Sequence, residues 1–145
     1  MNKLRPNGLL SLGERIEQRL SNIGVELPRQ PSGSIPDLPE DLTNVTSRDV
    51  GRLLTEFCSW LSFLTPRVAL AKVTYKEAKA NFELAKKRKV GIEELEILQQ
   101  ALLEADAYAS VLEGVEKATL RKKEAASREI SRLTDTGVGR DYHGG

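Results

Sequence analysis

A long repeat of apolar residues is the feature of this sequence that most restricts how the chain can fold. Between residues 50 and 85 apolar side chains recur at alternating steps of four and three residues, the period of helices that pack lengthwise. The repeat comprises Val50, Leu54, Phe57, Leu61, Leu64, Val68, Ala71, Tyr75, Ala78, Phe82 and Ala85. A helix on the surface of a globular core rarely keeps this period for so long. The sequence therefore predicts a long helix over residues 47–89 that packs against a second long helix.

The same spacing resumes after Gly91 and supplies the second helix, predicted over residues 92–134. Its apolar positions are Leu95, Leu98, Leu102, Ala105, Ala109, Leu112, Ala126, Ile130 and Leu133. Between Leu112 and Ala126 the repeat falls on polar residues, namely Glu116, Thr119 and Lys123. We expect a register shift near Gly114, through Val115 and Ala118. Because one glycine separates two helices of equal predicted length, the chain is expected to fold as an antiparallel hairpin.

The charge pattern gives independent support for a hairpin. Residues 67–89 carry eight bases and two acids, whereas residues 92–116 carry seven acids and no base. A fold at Gly91 lays the basic block along the acidic one. Residues 117–132, which are net positive, are likewise expected to meet residues 37–56, which are net negative. Each exposed pair contributes only about 0–1 kcal/mol, but alignment of like charges is penalised, so the pattern selects this topology.

Two shorter segments precede the hairpin. Ser11 and Glu14 have the spacing of a capping box, and apolar residues follow at helical intervals, which predicts an amphipathic helix over residues 11–23 that Gly24 ends. So short a helix is marginally stable alone and must dock on another surface. Four of the six prolines lie in residues 25–45. Proline lacks a backbone donor and favours extended backbone before it, so this segment is predicted to be an extended arm.

These signals divide the chain into four segments. Residues 1–24 form an N-terminal segment with the short docking helix, and residues 25–45 form the proline-rich arm. Residues 46–134 form the antiparallel helical hairpin, whose turn lies near 90–91. Residues 135–145 form a flexible, glycine-rich tail.

Two local signals shape the first long helix. Thr46, with Asp49 three residues later, is a cap at its start. Pro66 interrupts the helix on the side opposite the apolar repeat, so we expect either a kink or a fresh start with Thr65 as the cap.

Apolar residues outside the repeat are the candidates for binding a partner. The arm contains four of them, and the hairpin adds three near its open end, which make the apolar face too wide for one partner helix. The candidates are Leu27, Ile35, Leu38, Leu42, Leu53, Trp60 and Phe63. Three interpretations remain open for the hairpin residues: the chain's own short helix or arm covers them, another subunit covers them, or they complete a local core. The arm itself is either a partner-binding segment or a linker.

Composition and residue inventory argue against catalysis. Aromatic residues make up 5% and charged residues 30%, which is typical of helical bundles, and a net charge of +1 gives no overall attraction to polyanions. The only histidine, His143, lies in the tail with Asp135 and Asp141, where no nucleophile, base and orienting group can be assembled. We therefore expect a protein that is not an enzyme and holds no cofactor and no metal.

The single cysteine and the apolar runs bear on the compartment. Cys58 lies in an apolar helical segment, so we expect a buried, inert thiol, and one cysteine cannot form an intrachain disulfide. No signal peptide and no run of about 20 apolar residues is apparent, so no contact with a membrane is expected. The protein is expected to be soluble and made in the cytoplasm.

The layout of the hairpin resembles phage recombination mediators of the UvsY type. Trp60 and Leu61 open a lysine-rich helix, a glycine turn follows, and the return helix ends in SREISRL. The similarity is one of arrangement and covers about residues 55–133. It implies a ring-forming helical protein that loads a recombinase on single-stranded DNA. The lysines in the comparable stretch are Lys76, Lys79, Lys86 and Lys87.

Two features depart from the mediator pattern. The return helix is acidic and should neutralise the lysines of the first helix. Bases bound to single-strand sites stack on aromatic side chains, whereas Tyr75 and Phe82 are expected to point into the hairpin seam. Binding of nucleic acid is therefore possible but disfavoured.

The preferred functional hypothesis is a structural or assembly role. A docking helix, an extended arm and a hairpin suit a protein that bridges its neighbours, and the sequence has the general look of small helical proteins encoded by tailed bacteriophages. We expect a minor capsid, decoration or stabilising component of a virion, assembled in the host cytoplasm. Its partners would be other virion proteins, such as the major capsid protein, and copies of itself. The alternatives are the recombination mediator and a small adaptor between two proteins.

Overall fold

The chain folds as helices in the part that the structure, a computed structural model, describes, which is residues 8–134. In chain order the elements are α1, Gly8–Asn22; a short 3-10 helix, Leu42–Asn44; α2, Ser47–Lys87; and α3, Ile92–Leu133. Helices α2 and α3 pack against each other as an antiparallel hairpin. The predicted all-α fold, with a short amphipathic helix and an extended proline-rich arm before the hairpin, is confirmed. The predicted flexible tail lies outside the described residues.

The apolar repeat forms the seam between α2 and α3. Every repeat position on α2 is buried or half-buried, and Val50 and Phe57 are completely buried. On α3 the repeat positions are also turned inward, including the three polar ones. Thr119 is only 1% exposed, whereas Ala118 is exposed. The expected register shift near residue 114 is therefore wrong, because the helical period places position 119 inward even where the residue is polar.

The buried threonine does not leave the seam with an unpaired polar group. Thr119 has an interaction partner, and among residues 8–134 no buried side-chain oxygen or nitrogen lacks a hydrogen bond. A small polar residue with a local partner costs little when buried. The seam can therefore continue through this position without changing register.

Contacts within the chain divide it into two compact units. In the described part, residues 8–28 and 64–115 form the first, here called the turn unit, and residues 29–63 and 116–134 form the second, the arm unit. The turn unit contains α1 and the turn between the long helices. The arm unit contains the proline-rich arm. Each unit has its own buried cluster.

The turn between the long helices uses a lysine, not the glycine, in the left-handed conformation. Lys89 has φ 55°, its N–H donates to the carbonyl of Lys86 at 3.2 Å, and the Val90 N–H donates to the carbonyl of Ala85 at 3.3 Å. This is the Schellman pattern, which usually has glycine at the left-handed position. The prediction that Gly91 breaks the helix is therefore wrong in detail. The carbonyl of Gly91 accepts from Leu95 and starts α3.

Helix α1 ends in the same pattern with the usual residue. Gly24 has φ 82°, its N–H donates to the carbonyl of Ser21, and the Val25 N–H donates to the carbonyl of Leu20. The predicted end of this helix is therefore observed. Its predicted start is wrong, because α1 begins at Gly8 and Ser11 lies inside it. Leucine propagates a helix well, so the two leucines before the serine extend it by a turn.

Three further expectations concern α2. Thr46 caps the helix as predicted, since the Asp49 N–H donates to its Oγ1 at 3.2 Å. Pro66 lies inside one uninterrupted helix, so the expected fresh start does not occur. Cys58 is exposed, which contradicts the predicted buried thiol. It follows a fully buried repeat position, and one step along a helix turns a side chain by about 100°, away from the seam.

The left-handed lysine gives a stability prediction. Replacing Lys89 by glycine removes the steric cost of a Cβ in this conformation and should raise the free energy of unfolding by about 0.5–1 kcal/mol. As the matched control, Gly91→Ala introduces a Cβ into open space at a backbone outside the left-handed region. It should change stability by less than about 0.5 kcal/mol. Urea unfolding followed by circular dichroism measures both. A destabilised Lys89→Gly variant would contradict the assignment.

Candidate interaction surfaces

The arm packs against its own hairpin within the arm unit. Val50, Phe57 and Ala126 form a buried cluster that joins α2 to α3. The side chains that pack on this cluster are Ile35, Leu38, Leu42, Val45, Leu53, Leu54 and Ile130. Four of the residues predicted to bind a partner are in that set. The arm therefore packs on the same cluster as Leu53 in the single chain, which agrees for that residue with one of the alternatives that the sequence left open.

Polar contacts fix the arm as well. The Lys122 ammonium of α3 donates to the carbonyl of Pro36 at 3.2 Å and lies 3.8 Å from the Asp37 carboxylate. This pair joins the two charge blocks that were expected to meet in this part of the chain. Farther along, Asp41 accepts from the Thr43 hydroxyl and from its backbone N–H, and these bonds hold the pKa of Asp41 below its usual value. They start the 3-10 helix that leads into α2.

The remaining predicted partner-binding residues have different environments. Trp60 is only 6% exposed and makes an edge-to-face contact with Phe63, with ring centroids 5.8 Å apart. Phe63 and Leu27 are half-buried, and Leu27 belongs to the turn unit. The structure thus does not bring the seven predicted residues together on one free surface. Their role in binding a partner stays a prediction.

Helix α1 docks on the turn unit through an apolar face. Leu12 and Ile16 form a buried cluster with Ala105 of α3. The half-buried residues packed against this cluster are Leu70, Tyr75, Ala78 and Tyr108. The short alanine side chains at positions 78 and 105 leave room for α1 between the larger residues of this surface. Gly13 also allows α1 to approach closely, because a Cβ atom at this position would lie only 2.7 Å from the Tyr108 hydroxyl.

Two ion pairs add to the apolar contact of α1. The buried Arg67 guanidinium donates from Nε to Glu17 Oε1 at 2.8 Å, and Arg19 binds both carboxylate oxygens of Glu77 at 2.6 and 2.8 Å. Burial, followed by the nearby Glu17 charge, raises the pKa of Tyr108. Burying a Leu or Ile side chain is worth about 1.5–3 kcal/mol, against about 0–1 kcal/mol for an exposed pair. Each apolar side chain that α1 buries is therefore worth more than the exposed Arg19–Glu77 pair, which helps to orient the helix.

The four lysines of the mediator hypothesis are all exposed. They are Lys76, Lys79, Lys86 and Lys87. Lys86 lies 4.9 Å from the centre of the Phe82 ring and 3.3 Å from the Glu83 carboxylate. Within the described residues none of the four pairs with an acid of α3, so the neutralisation expected there is not seen; the pair between the two helices is formed instead by Lys72, whose ammonium lies 2.5 Å from the Glu113 carboxylate. Tyr75 packs on the α1 cluster and Phe82 is half-buried, so neither presents an open ring face beside these lysines.

Helix α3 presents exposed apolar side chains among its acidic ones, and the sequence reasoning did not single out these apolar residues. A shallow groove along its first half is lined by Glu93, Glu96, Ile97, Gln100, Ala101 and Glu104. Large apolar side chains near it are solvent-exposed, with Ile97 at 69% and Leu103 at 56%. Both fall outside the apolar repeat, as does Val111, which is also exposed. Apolar residues off the repeat were the signal that would have located this surface.

Comparison of the sequence with protein-family models, with curated proteins and with solved structures found no match. None of the helices within residues 8–134 has the length and apolar character needed to cross a membrane. In the same part of the chain no group of three or more His, Cys, Asp or Glu side chains is placed to hold a metal ion. The predicted tail residues His143, Asp135 and Asp141 lie outside it.

Truncating an arm residue should free the arm. Leu38→Ala removes half of a side chain that packs on the Phe57 cluster, which should raise cleavage after the exposed Glu40 by about tenfold through easier local opening. Digestion with a glutamate-specific protease, followed by mass spectrometry, measures that rate. Ile23→Ala, which trims a side chain that is 71% exposed, is the control and should leave the rate unchanged. Equal rates for the two variants would show that the arm does not rest on this cluster.

The Arg19–Glu77 pair should make stability depend on pH. The hydrogen bond from Arg19 lowers the pKa of Glu77, so the folded carboxyl loses its proton more readily than the unfolded one. The contribution of the pair is therefore complete above the unfolded pKa of about 4.3 and is lost as the pH falls through the lower folded value. At neutral pH, Glu77→Gln should cost up to about 1 kcal/mol. At acidic pH, the Glu77→Gln variant and the unsubstituted protein should have the same free energy of unfolding.

Urea unfolding at neutral and acidic pH measures this difference. Glu96→Gln, which removes an exposed carboxyl of α3, is the matched control. Its difference in stability from the unsubstituted protein should be the same at both pH values. A Glu77→Gln deficit that persists unchanged below pH 3 would contradict an ionic origin.

Proposed function

We propose that this protein is a non-enzymatic assembly protein, specifically a minor capsid, decoration or stabilising component of a tailed-phage virion. The observation that carries the proposal is the outer surface of α3. There Ile97 and Leu103 are exposed among acidic side chains, outside the surfaces that the seam, α1 and the arm cover. Clustered apolar side chains rimmed by charge mark surfaces that bind proteins.

The rest of the fold supports a role in binding other proteins. The arm and α1 dock on the chain's own hairpin, so the single chain already has a packed core in each unit. A protein of this kind offers its neighbours a preformed helical surface and need not order a long segment when it binds. Acidic residues around the exposed apolar ones keep such a surface hydrated until a partner covers it. The virion setting rests on the sequence resemblance to small helical phage proteins.

The recombination mediator is the second candidate, and one observation favours it. Lys76, Lys79, Lys86 and Lys87 are all exposed on the same helix, where they form a basic surface that a phosphate backbone would bind. The absence of an open aromatic face beside them ranks this candidate second. The small adaptor between two proteins differs from the virion component only in the identity of its partners.

The location of the protein tests the proposal. Mass spectrometry of purified particles, compared with infected-cell lysate, should find the protein enriched in particles in a fixed ratio to the major capsid protein. Leu103→Glu should reduce incorporation by about tenfold, because it places a charge in the exposed apolar surface. Gln99→Glu adds the same charge to an exposed polar position of the same helix and should incorporate normally. Recovery of the protein only in the lysate would overturn the proposal.

A titration with single-stranded DNA separates the two candidates. The virion component should show no binding whose affinity falls steeply with salt. A mediator should bind with a clear salt dependence, because each phosphate contact releases counterions. Replacing the four lysines by glutamine should then abolish that binding and reduce the salt slope. Salt-dependent binding of DNA that requires these lysines would favour the recombination mediator over the virion component.

A further inference from the structure

Two outer rows of side chains in the turn unit carry opposite charge. Both rows are spaced at steps of three and four residues, so each forms a line along one helix face. The outer row of α2 is Val73, Lys76, Ala80, Leu84 and Lys87. The outer row of α3 is Glu93, Ile97, Gln100, Glu104, Ala107 and Val111. The first row has three apolar residues and two bases, and the second has three apolar residues, two acids and one glutamine.

The charged members of both rows are available. Within residues 8–134, no hydrogen bond or ion pair engages Lys76, Lys87, Glu93 or Glu104. All five residues of the α2 row are exposed, and on the α3 row only Glu104 is partly covered. Large apolar side chains in both rows are accessible, with Leu84 at 45% and Ile97 at 69%. Apart from the partial cover of Glu104, neither row is buried in the part of the chain that the structure describes.

We propose that the outer row of α2 in one copy binds the outer row of α3 in a second copy. This inference deepens the proposed function, and rests on it, by naming the surface and the partner. In the antiparallel alignment the five positions of the α2 row match five of the six positions of the α3 row, and Val111 is left without a counterpart. Leu84 meets Ile97, and the two lysines meet the two glutamates, Lys76 with Glu104 and Lys87 with Glu93. Ala80 then faces Gln100, and Val73 faces Ala107.

The contact joins two different surfaces, so it is heterologous. After one partner has bound, each copy still has one unused row, on α2 or on α3. Further copies can therefore add beyond the dimer, and they form a closed ring or an open chain, depending on the rotation between neighbours. The apolar pairs, Leu84 with Ile97 and Val73 with Ala107, would supply most of the affinity, while the ion pairs fix direction and register. The contact should therefore weaken as salt rises.

A charge exchange tests the contact. Lys76→Glu with Lys87→Glu makes both rows acidic, and Glu93→Lys with Glu104→Lys makes both rows basic. Each double variant alone should assemble with an apparent Kd raised at least about tenfold. An equimolar mixture of the two should recover assembly, because each row again faces the opposite charge. Sedimentation velocity measures the species, and circular dichroism verifies that both variants keep their helices.

Crosslinking identifies the register. Leu84→Cys and Ile97→Cys, each in a Cys58→Ser chain and each carrying a different tag, should form a disulfide only between the two kinds of chain when mixed. Gln18→Cys on the outer face of α1 is the control and should not link to either.

Three results would overturn the proposal. They are a monomer at every concentration, an assembly that neither double variant weakens, and double variants whose mixture fails to recover. The fate of the proposed function is read separately from particle composition. A monomeric protein that is still incorporated into particles would refute self-association alone, whereas an assembling protein that is absent from particles would refute the virion role alone.

Discussion

The continuous apolar seam between α2 and α3 is the contact on which every other part of this structure depends. It fixes which faces of the two helices point outward, and α1 and the arm then dock on surfaces that only the paired helices create. Leu12 and Ile16 contact residues of both long helices, and Phe57 and Ala126 from opposite helices together form the surface under the arm. A break in the seam would therefore remove both docking surfaces, whereas loss of α1 or the arm would leave the seam in place.

The long helices, their antiparallel pairing and the arm could be predicted because they follow from spacing that extends over many residues. The 3.5-residue period identifies one inward face irrespective of any single side chain. The misjudged positions are those where residue type was given more weight than that period. Thr119 was expected to turn outward because it is polar, and Cys58 was expected to be buried because its neighbours are apolar. In both cases the position along the helix decided the outcome.

The candidate surfaces were less predictable than the fold. Ile35 and Leu38 were singled out as candidates for binding a partner, but sequence alone does not tell whether the surface on which they pack belongs to the same chain or to another. The outer surface of α3 was missed because its apolar residues are few and lie among acidic ones. Such a sequence pattern is typical of an ordinary solvent-exposed helix face. The turn was assigned to Gly91 because glycine is the usual left-handed residue, and only the backbone shows that Lys89 takes this role.

Docking of the N-terminal segments on the last helix has a consequence for biosynthesis. Ala105 and Tyr108 complete the α1 surface, and Ala126 completes the arm surface, so both are translated long after the segments that they bind. The first 45 residues leave the ribosome with no native surface to bind. Such sequence-distant contacts close large loops and form late. The arm can therefore dock only after residue 126 has left the ribosome, and nascent chains stalled before that residue would leave the arm unbound.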